Sequence, residues 1–465
     1  MANLRTCTAF AMATLLAASL GCGDDDGMTP TDAAVDVRRP PIGGSSWETE
    51  VVATGHVGLH VRVAVVGGQA ALAFFSTQAR NDGPCTEIGT MDVPDRLLWD
   101  LHYAEAGAGT WSVEDVQAVL SLSDPPGLDF AAAPDGTPTI AALTGGPWVT
   151  PGIGYCGAND LGLYGRDGPG SWSADVAVAT SGEAASGMPA SDYGEVVGFW
   201  PGLAYDAAGQ PAIVYRDVHA GGIQSDDFRR ADLELTWRDG GGWRHLPVDV
   251  GRSAGSYNQL VFDGEGRPVI VYYLPMEATM GSQQGIWVAR SSDDGATWEQ
   301  VRLLAGPTSP SPDIVVDPST GQLHVVYYDG GRGVPVHAGL VDSSRFTDAA
   351  AWDQEIFGDS RYDEGHRPSM AVGPAGILGM AYYRCTRATE GIGDCRAADD
   401  AVVFAFRERG AWDREVVDEG DDGPCGLTPS LDFEPDGSAV IGYMCSSLVD
   451  GSLDQQVRFG RRDPL

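Results

Sequence analysis

Leu203–Tyr215 reads LAYDAAGQPAIVY and Leu260–Leu274 reads LVFDGEGRPVIVYYL. Each joins two apolar runs through a tight turn built on Asp and Gly, the pattern of a β-hairpin whose strands are covered on both faces. The turn glycine recurs at Gly68, Gly136, Gly209, Gly266, Gly321, Gly376 and Gly437, and the middle intervals are 57, 55 and 55 residues. Four residues after it stand Leu72, Ile140, Ile213, Ile270, Val325, Met380 and Ile441, all large and apolar. Six residues after it stand Phe74, Ala142, Tyr215, Tyr272, Tyr327, Tyr382 and Tyr443, aromatic in every unit but one. Bulk recurring at a period of two means strands.

A second series interleaves with the first. Trp47, Trp111, Trp172, Trp243, Trp298, Trp352 and Trp412 each follow a turn or open a strand of alternating character. Together the two series predict seven units of four strands. In the fourth unit the strands are Gln259–Phe262, Arg267–Leu274, Gly285–Arg290 and Trp298–Leu304. Four-stranded units repeated about four to eight times build a β-propeller. The last unit stops after its third strand, Gln456–Arg461, and the strand it lacks stands at the other end of the chain as Trp47–Ala53. Pairing the two closes the ring and removes both free edges. Tandem β-sandwiches are the competing all-β arrangement, but they would not share a strand across both termini.

Ser291-Ser292-Asp293-Asp294-Gly295-Ala296-Thr297-Trp298 resembles the Asp-box, S-x-D-x-G-x-T-W, of sialidase-type (BNR-repeat) β-propellers. Degenerate copies run from Arg166 to Trp172 and from Arg238 to Trp243. In that family the box is a structural turn, carried by Ser291, Asp293, Gly295, Thr297 and Trp298 here, on the face away from the active site. The resemblance implies fold more than activity. Sialidases are commonly six-bladed, so six is the alternative count. They hold the substrate carboxylate with an arginine triad and use an Asp acid/base and a Tyr nucleophile assisted by Glu. Their Arg-Ile-Pro motif is absent here: Arg367-Pro368 is followed by Ser369.

The first 21 residues read as a signal peptide, with Arg5 before a short apolar run, Thr8–Leu20. Ser19-Leu20-Gly21-Cys22 resembles a lipobox, which makes Cys22 the lipidated residue of a bacterial lipoprotein. Gly rather than Asp after Cys22 favours the outer membrane, by resemblance to enterobacterial sorting rules. Residues 22–45 read as a disordered acidic tether and 46–465 as the propeller. The expected location is the cell envelope, on the periplasmic side or the cell surface. Acidic residues number 65 against 29 basic ones, all arginine, giving a formal net charge of -36. That balance excludes nucleic acid as a partner and leaves no lysine for a Schiff base or a phosphate loop. A monomer is expected, touching the membrane only through its anchor.

Loops joining second to third strands, and one blade to the next, share the face around the central funnel. Ligand-binding candidates there are Trp200, Arg216, Asp217, Asp329, Glu364, Arg367 and Arg384, with Asp363 and His366 beside them. An arginine set could clamp a carboxylate or sulfate, or could merely pair with nearby acids. Six cysteines remain after Cys7 and Cys22, and their positions predict the pairs Cys85–Cys156, Cys385–Cys395 and Cys425–Cys445. No C-x-x-C pair and no histidine cluster points to a metal. Calcium is the one cation that the acidic run Asp418–Gly423 would suit, although EF-hand spacing is absent, so no cofactor is expected. The expected function is non-catalytic binding of a glycan or protein on the funnel face. The rival is a sialidase-like exo-glycosidase acting on acidic glycans, which would need three arginines and a carboxylate pair about 5–10 Å apart around one pocket.

Overall fold

The computed structural model describes residues 46–80, 96–107, 109–120, 127–144, 160–179, 196–218, 231–275, 283–308, 311–359, 361–387, 395–408, 410–419, 423–449 and 452–464. The signal peptide, Cys22, the tether, Cys85 and Cys156 lie outside them. Twenty-eight strands form seven four-stranded antiparallel sheets. Strand β1 is Trp47–Gly55, and blade 1 is β2–β5 (Val57–Val66, Gln69–Arg80, Arg96–Ala106, Trp111–Leu120). Blade 2 is β6–β9 (Leu128–Ala132, Pro138–Leu143, Leu161–Gly168, Ser171–Val178), and blade 3 is β10–β13 (Val196–Tyr205, Pro211–Val218, Ala231–Asp239, Gly242–Asp249). Blade 4 is β14–β17 (Ser256–Phe262, Pro268–Leu274, Gly285–Arg290, Glu299–Ala305), and blade 5 is β18–β21 (Asp313–Val316, Leu323–Asp329, Val334–Leu340, Trp352–Ile356). Blade 6 is β22–β25 (Tyr362–Val372, Leu378–Arg387, Cys395–Glu408, Ala411–Glu419). Blade 7 takes β26–β28 (Cys425–Phe433, Ala439–Val449, Ser452–Arg462) and β1, in the order β1-β28-β27-β26. The ring therefore has seven blades, not six, and it closes through its N-terminal strand, with Trp47 opposite Arg462 and Gly55 opposite Gln455.

The repeated hairpin turn works through its Asp and Gly. Asp206 Oδ1 accepts the backbone N–H groups of Ala208 and Gln210 at 2.9 and 2.8 Å, while Gly209 takes φ +76°. Asp263 and Gly266 repeat the arrangement in blade 4. The apolar second strands are buried throughout in blades 2 and 5, as stacking between neighbouring blades requires.

The tryptophan series has a partner series. Trp47, Trp172, Trp243 and Trp412 donate Nε1–H to Glu415, Glu114, Asp175 and Glu355, at 3.1, 3.1, 3.3 and 3.1 Å. Each acceptor lies on the outermost strand of the preceding blade, three residues beyond that blade's own Trp. Each also receives a guanidinium: Arg462, Arg166, Arg238 and Arg407 respectively. Those arginines stand directly opposite the Trp on the adjacent antiparallel strand. A planar fork suits such shared carboxylates better than an ammonium does. The clamp ties four blade junctions at their outer rim.

At the inner rim a shorter device does the same. Asp129 Oδ2 accepts Leu203 N–H at 2.7 Å, Asp313 Oδ2 accepts Met370 N–H at 2.7 Å, Ser369 Oγ accepts Leu431 N–H at 3.1 Å, and Ser430 Oγ accepts Val63 N–H at 3.0 Å. Each bond runs to the innermost strand of the next blade, whose edge N–H groups lack a ladder partner. Residues 291–298 form a tight turn between β16 and β17. Ser291 Oγ accepts Gly295 N–H at 2.8 Å and Asp293 Oδ1 accepts Thr297 N–H at 2.7 Å. Gly295 sits at φ +85° with Leu246 where a Cβ would go.

Candidate functional site

In five blades the inner strand continues past the point where its sequence periodicity ends, because it is interrupted by a bulge rather than stopped. Register shifts between Phe199 and Gly202, Ser256 and Gln259, and His366 and Ser369. Within these breaks Trp200, Tyr257 and Arg367 take left-handed φ values of +47°, +51° and +50°. The sequence marks three such breaks as Gly-x-X-Pro: Gly198–Pro201, Gly365–Pro368 and Gly426–Pro429. Proline is tolerated there because the ladder needs no donor at a bulge. Consequently Trp200 lies inside β10, Arg216 and Asp217 inside β11, Asp363 to Arg367 inside β22 and Arg384 inside β23, while Asp329 ends β19.

Three of the candidates meet. Trp200 stacks on Tyr257, with ring centroids 4.5 Å apart and planes at 23°. The Arg367 guanidinium lies 5.9 Å from the Tyr257 centroid, and that of Arg216 lies 5.5 Å from Trp200. A chain of contacts, Arg216–Trp200–Tyr257–Arg367, thus crosses from blade 3 through blade 4 to blade 6. Arg216 is buried and anchored by Ser253 Oγ at 2.9 Å and by Ser256 Oγ. Tyr257 was not singled out in the sequence, although Gly255 two residues before it matches the Gly-x-X spacing.

The other candidates stand elsewhere. Arg384 lies 4.2 Å from the Tyr362 ring centroid and bonds Glu419 at 3.2 Å. Glu364 is buried and accepts from Tyr382 at 2.9 Å and Arg414 at 2.6 Å. Asp329 caps its turn through Gly331 N–H at 2.9 Å, and Asp217 is fully buried. His366 stacks on Tyr328 with centroids 4.0 Å apart, and Asp363 accepts from the Tyr328 hydroxyl at 2.6 Å. Tyrosine–carboxylate bonds of this kind recur in blade after blade. Tyr215 bonds Glu234, Tyr272 bonds Asp249 and Tyr443 bonds Asp418, each at 2.7 Å. Burial pushes the Tyr272, Tyr382 and Tyr443 phenols well up, so all three stay protonated donors near neutrality. A feature repeated around a ring of blades serves the ring.

A cavity of about 130 Å³ is lined by Arg62, Asp129, Gln259, Asp313, Ser369 and Ser430, each two positions beyond a residue of positive φ. Arg62 approaches Asp129 at 3.4 Å. Burial raises the Asp129 carboxyl, and it raises Asp313 from 3.8 to about 6 against the opposing pull of the Met370 N–H and of Arg62. The folded protein therefore keeps a proton on Asp313 that the unfolded chain has already released. Its contribution to stability is complete below about pH 4 and is lost as pH rises through 6. At roughly 1.4 kcal/mol per pKa unit the loss is at most about 3 kcal/mol. Asp313→Asn keeps an acceptor for Met370 N–H. It is expected to raise the urea midpoint at pH 7 and to remove the part of the stability slope between pH 4 and 6. Unchanged midpoints at both ends of that range would contradict the assignment.

Cys425 and Cys445 form a disulfide across β26 and β27, and Cys385 is disulfide-bonded near the start of the β22–β23 hairpin. Two acid–cysteine groupings, Asp363–His366–Cys385 and Asp418–Cys425–Cys445, therefore offer no thiolate to a metal. Asp418, in the acidic run, accepts from Arg458 as well as Tyr443.

No protein-family model and no curated protein matches the chain. Solved structures do. A Dyadobacter fermentans protein of unknown function is 17% identical, over 74% of this chain and 96% of its own, with a TM-score of 0.45. A Trypanosoma rangeli sialidase in complex with the inhibitor DANA is 9% identical, over 87% of this chain and 55% of its own, with a TM-score of 0.42. A Fusarium graminearum α-L-arabinofuranosidase is 13% identical, over 76% of this chain and 93% of its own, with a TM-score of 0.40.

Proposed function

We propose that this propeller is a non-catalytic binding protein that takes a glycan at its funnel mouth, and that a lipid on Cys22 tethers it to the bacterial envelope. One observation carries the reading. The three funnel-face arginines diverge, Arg216 onto its serines, Arg367 onto Tyr257 and Arg384 onto Tyr362 and Glu419. Asp363 and Glu364 are held in tyrosine and arginine bonds, so among the described residues no acid and nucleophile face a common point flanked by a guanidinium triad. Stacked aromatics beside cations suit recognition of a sugar ring. The test pairs turnover with binding. The purified chain is incubated with fluorogenic sialosides and arabinosides, and in parallel applied to a glycan array. No turnover and a discrete set of bound glycans, weakened at least tenfold by Trp200→Ala, is the expected result. Turnover that disappears in Arg216→Ala, Arg367→Ala and Arg384→Ala would replace the binding reading with a glycosidase.

A further inference from the structure

Trp200, Tyr257 and Arg367 belong to a complete ring. The equivalent residues of the other blades are His60 and Thr428, within bulges, and Gly127 and Ser311, just before β6 and β18, and all seven have positive φ: +52°, +74°, +47°, +51°, +75°, +50° and +49° in chain order. In six blades the position lies two residues before a residue that lines the cavity, and in five it follows Gly58, Gly198, Gly255, Gly365 or Gly426 by two residues. The fold thus demands a left-handed backbone here and nothing more, because Gly127 meets that demand without a side chain. For any other residue this conformation costs about 1–2 kcal/mol. Proline directly after Trp200, Ser311, Arg367 and Thr428 restricts the position further, since it steers its predecessor to extended backbone. Six blades nevertheless carry a side chain, and no two carry the same one. The devices that hold the ring together repeat from blade to blade; these side chains do not. Strained non-glycine residues gather where side chains meet ligands.

We infer that these seven left-handed positions form the recognition ring of the protein and that its ligand is an acidic polysaccharide. The inference rests on the binding function proposed above and gives it residues and a ligand class. In a chain where acids outnumber bases 65 to 29, no acid stands in the ring. What stands there is Arg367, the aromatic pair Trp200 and Tyr257, His60, two hydroxyls and one glycine. Burial lowers the His60 imidazole well below its ordinary value, and the nearby Arg367 and Arg62 guanidiniums push it the same way. The Trp200 indole N–H is buried without a hydrogen-bond partner among the described residues, a donor suited to a sugar oxygen. A guanidinium beside an aromatic ring is the side chain that pairs with a carboxylate through two parallel hydrogen bonds.

The experiment measures retardation of the full chain in native gels containing polygalacturonate, alginate or heparin, and in gels containing carboxyl-reduced polygalacturonate, a neutral copy of the first. Melting temperatures are recorded for the same samples. The wild type should be retarded by at least one acidic polymer, with affinity at least tenfold weaker for the reduced copy. Arg367→Gly should lose at least tenfold in affinity with no fall in melting temperature, and Arg367→Lys should recover part of the affinity. Equal retardation by polygalacturonate and its reduced copy would overturn the acidic ligand while leaving glycan binding intact. Retardation by none of the four would overturn it too, with the glycan array deciding separately whether the chain binds sugars at all. A fall of several degrees in Arg367→Gly with affinity preserved would make the ring a structural feature.

Discussion

Removing Trp47–Gly55 is expected to abolish cooperative unfolding of the propeller and to leave an aggregating product. Those residues complete blade 7, and without them β28 becomes an open edge along its whole length. Trp47 is buried, with its ring edge-on to Phe404 at 5.2 Å. Losing a buried Trp side chain alone costs about 3–5 kcal/mol. The clamp at Glu415 goes with it: Ser46 Oγ and Trp47 Nε1 no longer donate, and Arg462 is left as its only partner from blade 7. The total stability of a folded domain is only about 5–15 kcal/mol, so these losses, added to those of the ladder, are comparable with all of it. Thermal melts followed by circular dichroism and light scattering check the expectation. A sharp melt within a few degrees of the wild type, with no scattering, would mean that the ring does not depend on its closing strand.

The second large effect concerns two positions two residues apart. Gly426→Val is expected to destabilise the protein by more than about 3 kcal/mol. A Cβ there would lie 2.5 Å from Val402 N and 2.7 Å from Val402 Cα, and the backbone holds φ at +93°. Neither neighbour is a side-chain tip that could swing aside, so strain of about 1–3 kcal/mol adds to a clash between blades 6 and 7. Thr428→Gly, at φ +49°, should change stability by no more than about 1 kcal/mol, since relief of strain offsets the loss of a half-buried side chain. Urea midpoints of the two variants decide the matter. Equal and large losses would place Thr428 among the residues that the fold requires.

The contrast explains what could be read in the sequence. The turn glycines, the aromatic six residues later and the tryptophans repeat because every blade needs them, and repetition is visible in one chain. Ring closure was visible for the same reason, as a strand missing at one end and supplied at the other. The acid three residues after Trp111, Trp172, Trp352 and Trp412 was also present, but its meaning depended on knowing that adjacent blades bring it beneath the next Trp. The mouth was less legible. A bulge breaks the period of two, so the periodicity starts this strand at Gln259 although it begins at Ser256, and Tyr257 lies outside the pattern. Arg216 and Arg384 occupy similar positions, on second strands, and Arg367 lies on an innermost strand, yet it is Arg216 and Arg367 that reach the aromatic pair while Arg384 turns to Tyr362. The cysteine pair Cys425–Cys445 was legible because antiparallel register places the two residues opposite each other.

Hydrogen exchange of the peptide spanning Trp47–Gly55 tests ring closure, on which both the mouth and its ring of left-handed residues depend. If β1 is the outer strand of blade 7, its amides that bond β28 should exchange only with global unfolding, at the rate of β28 itself. Exchange within seconds, as for a frayed terminus, while β26–β28 remain protected, would contradict the closed seven-bladed ring.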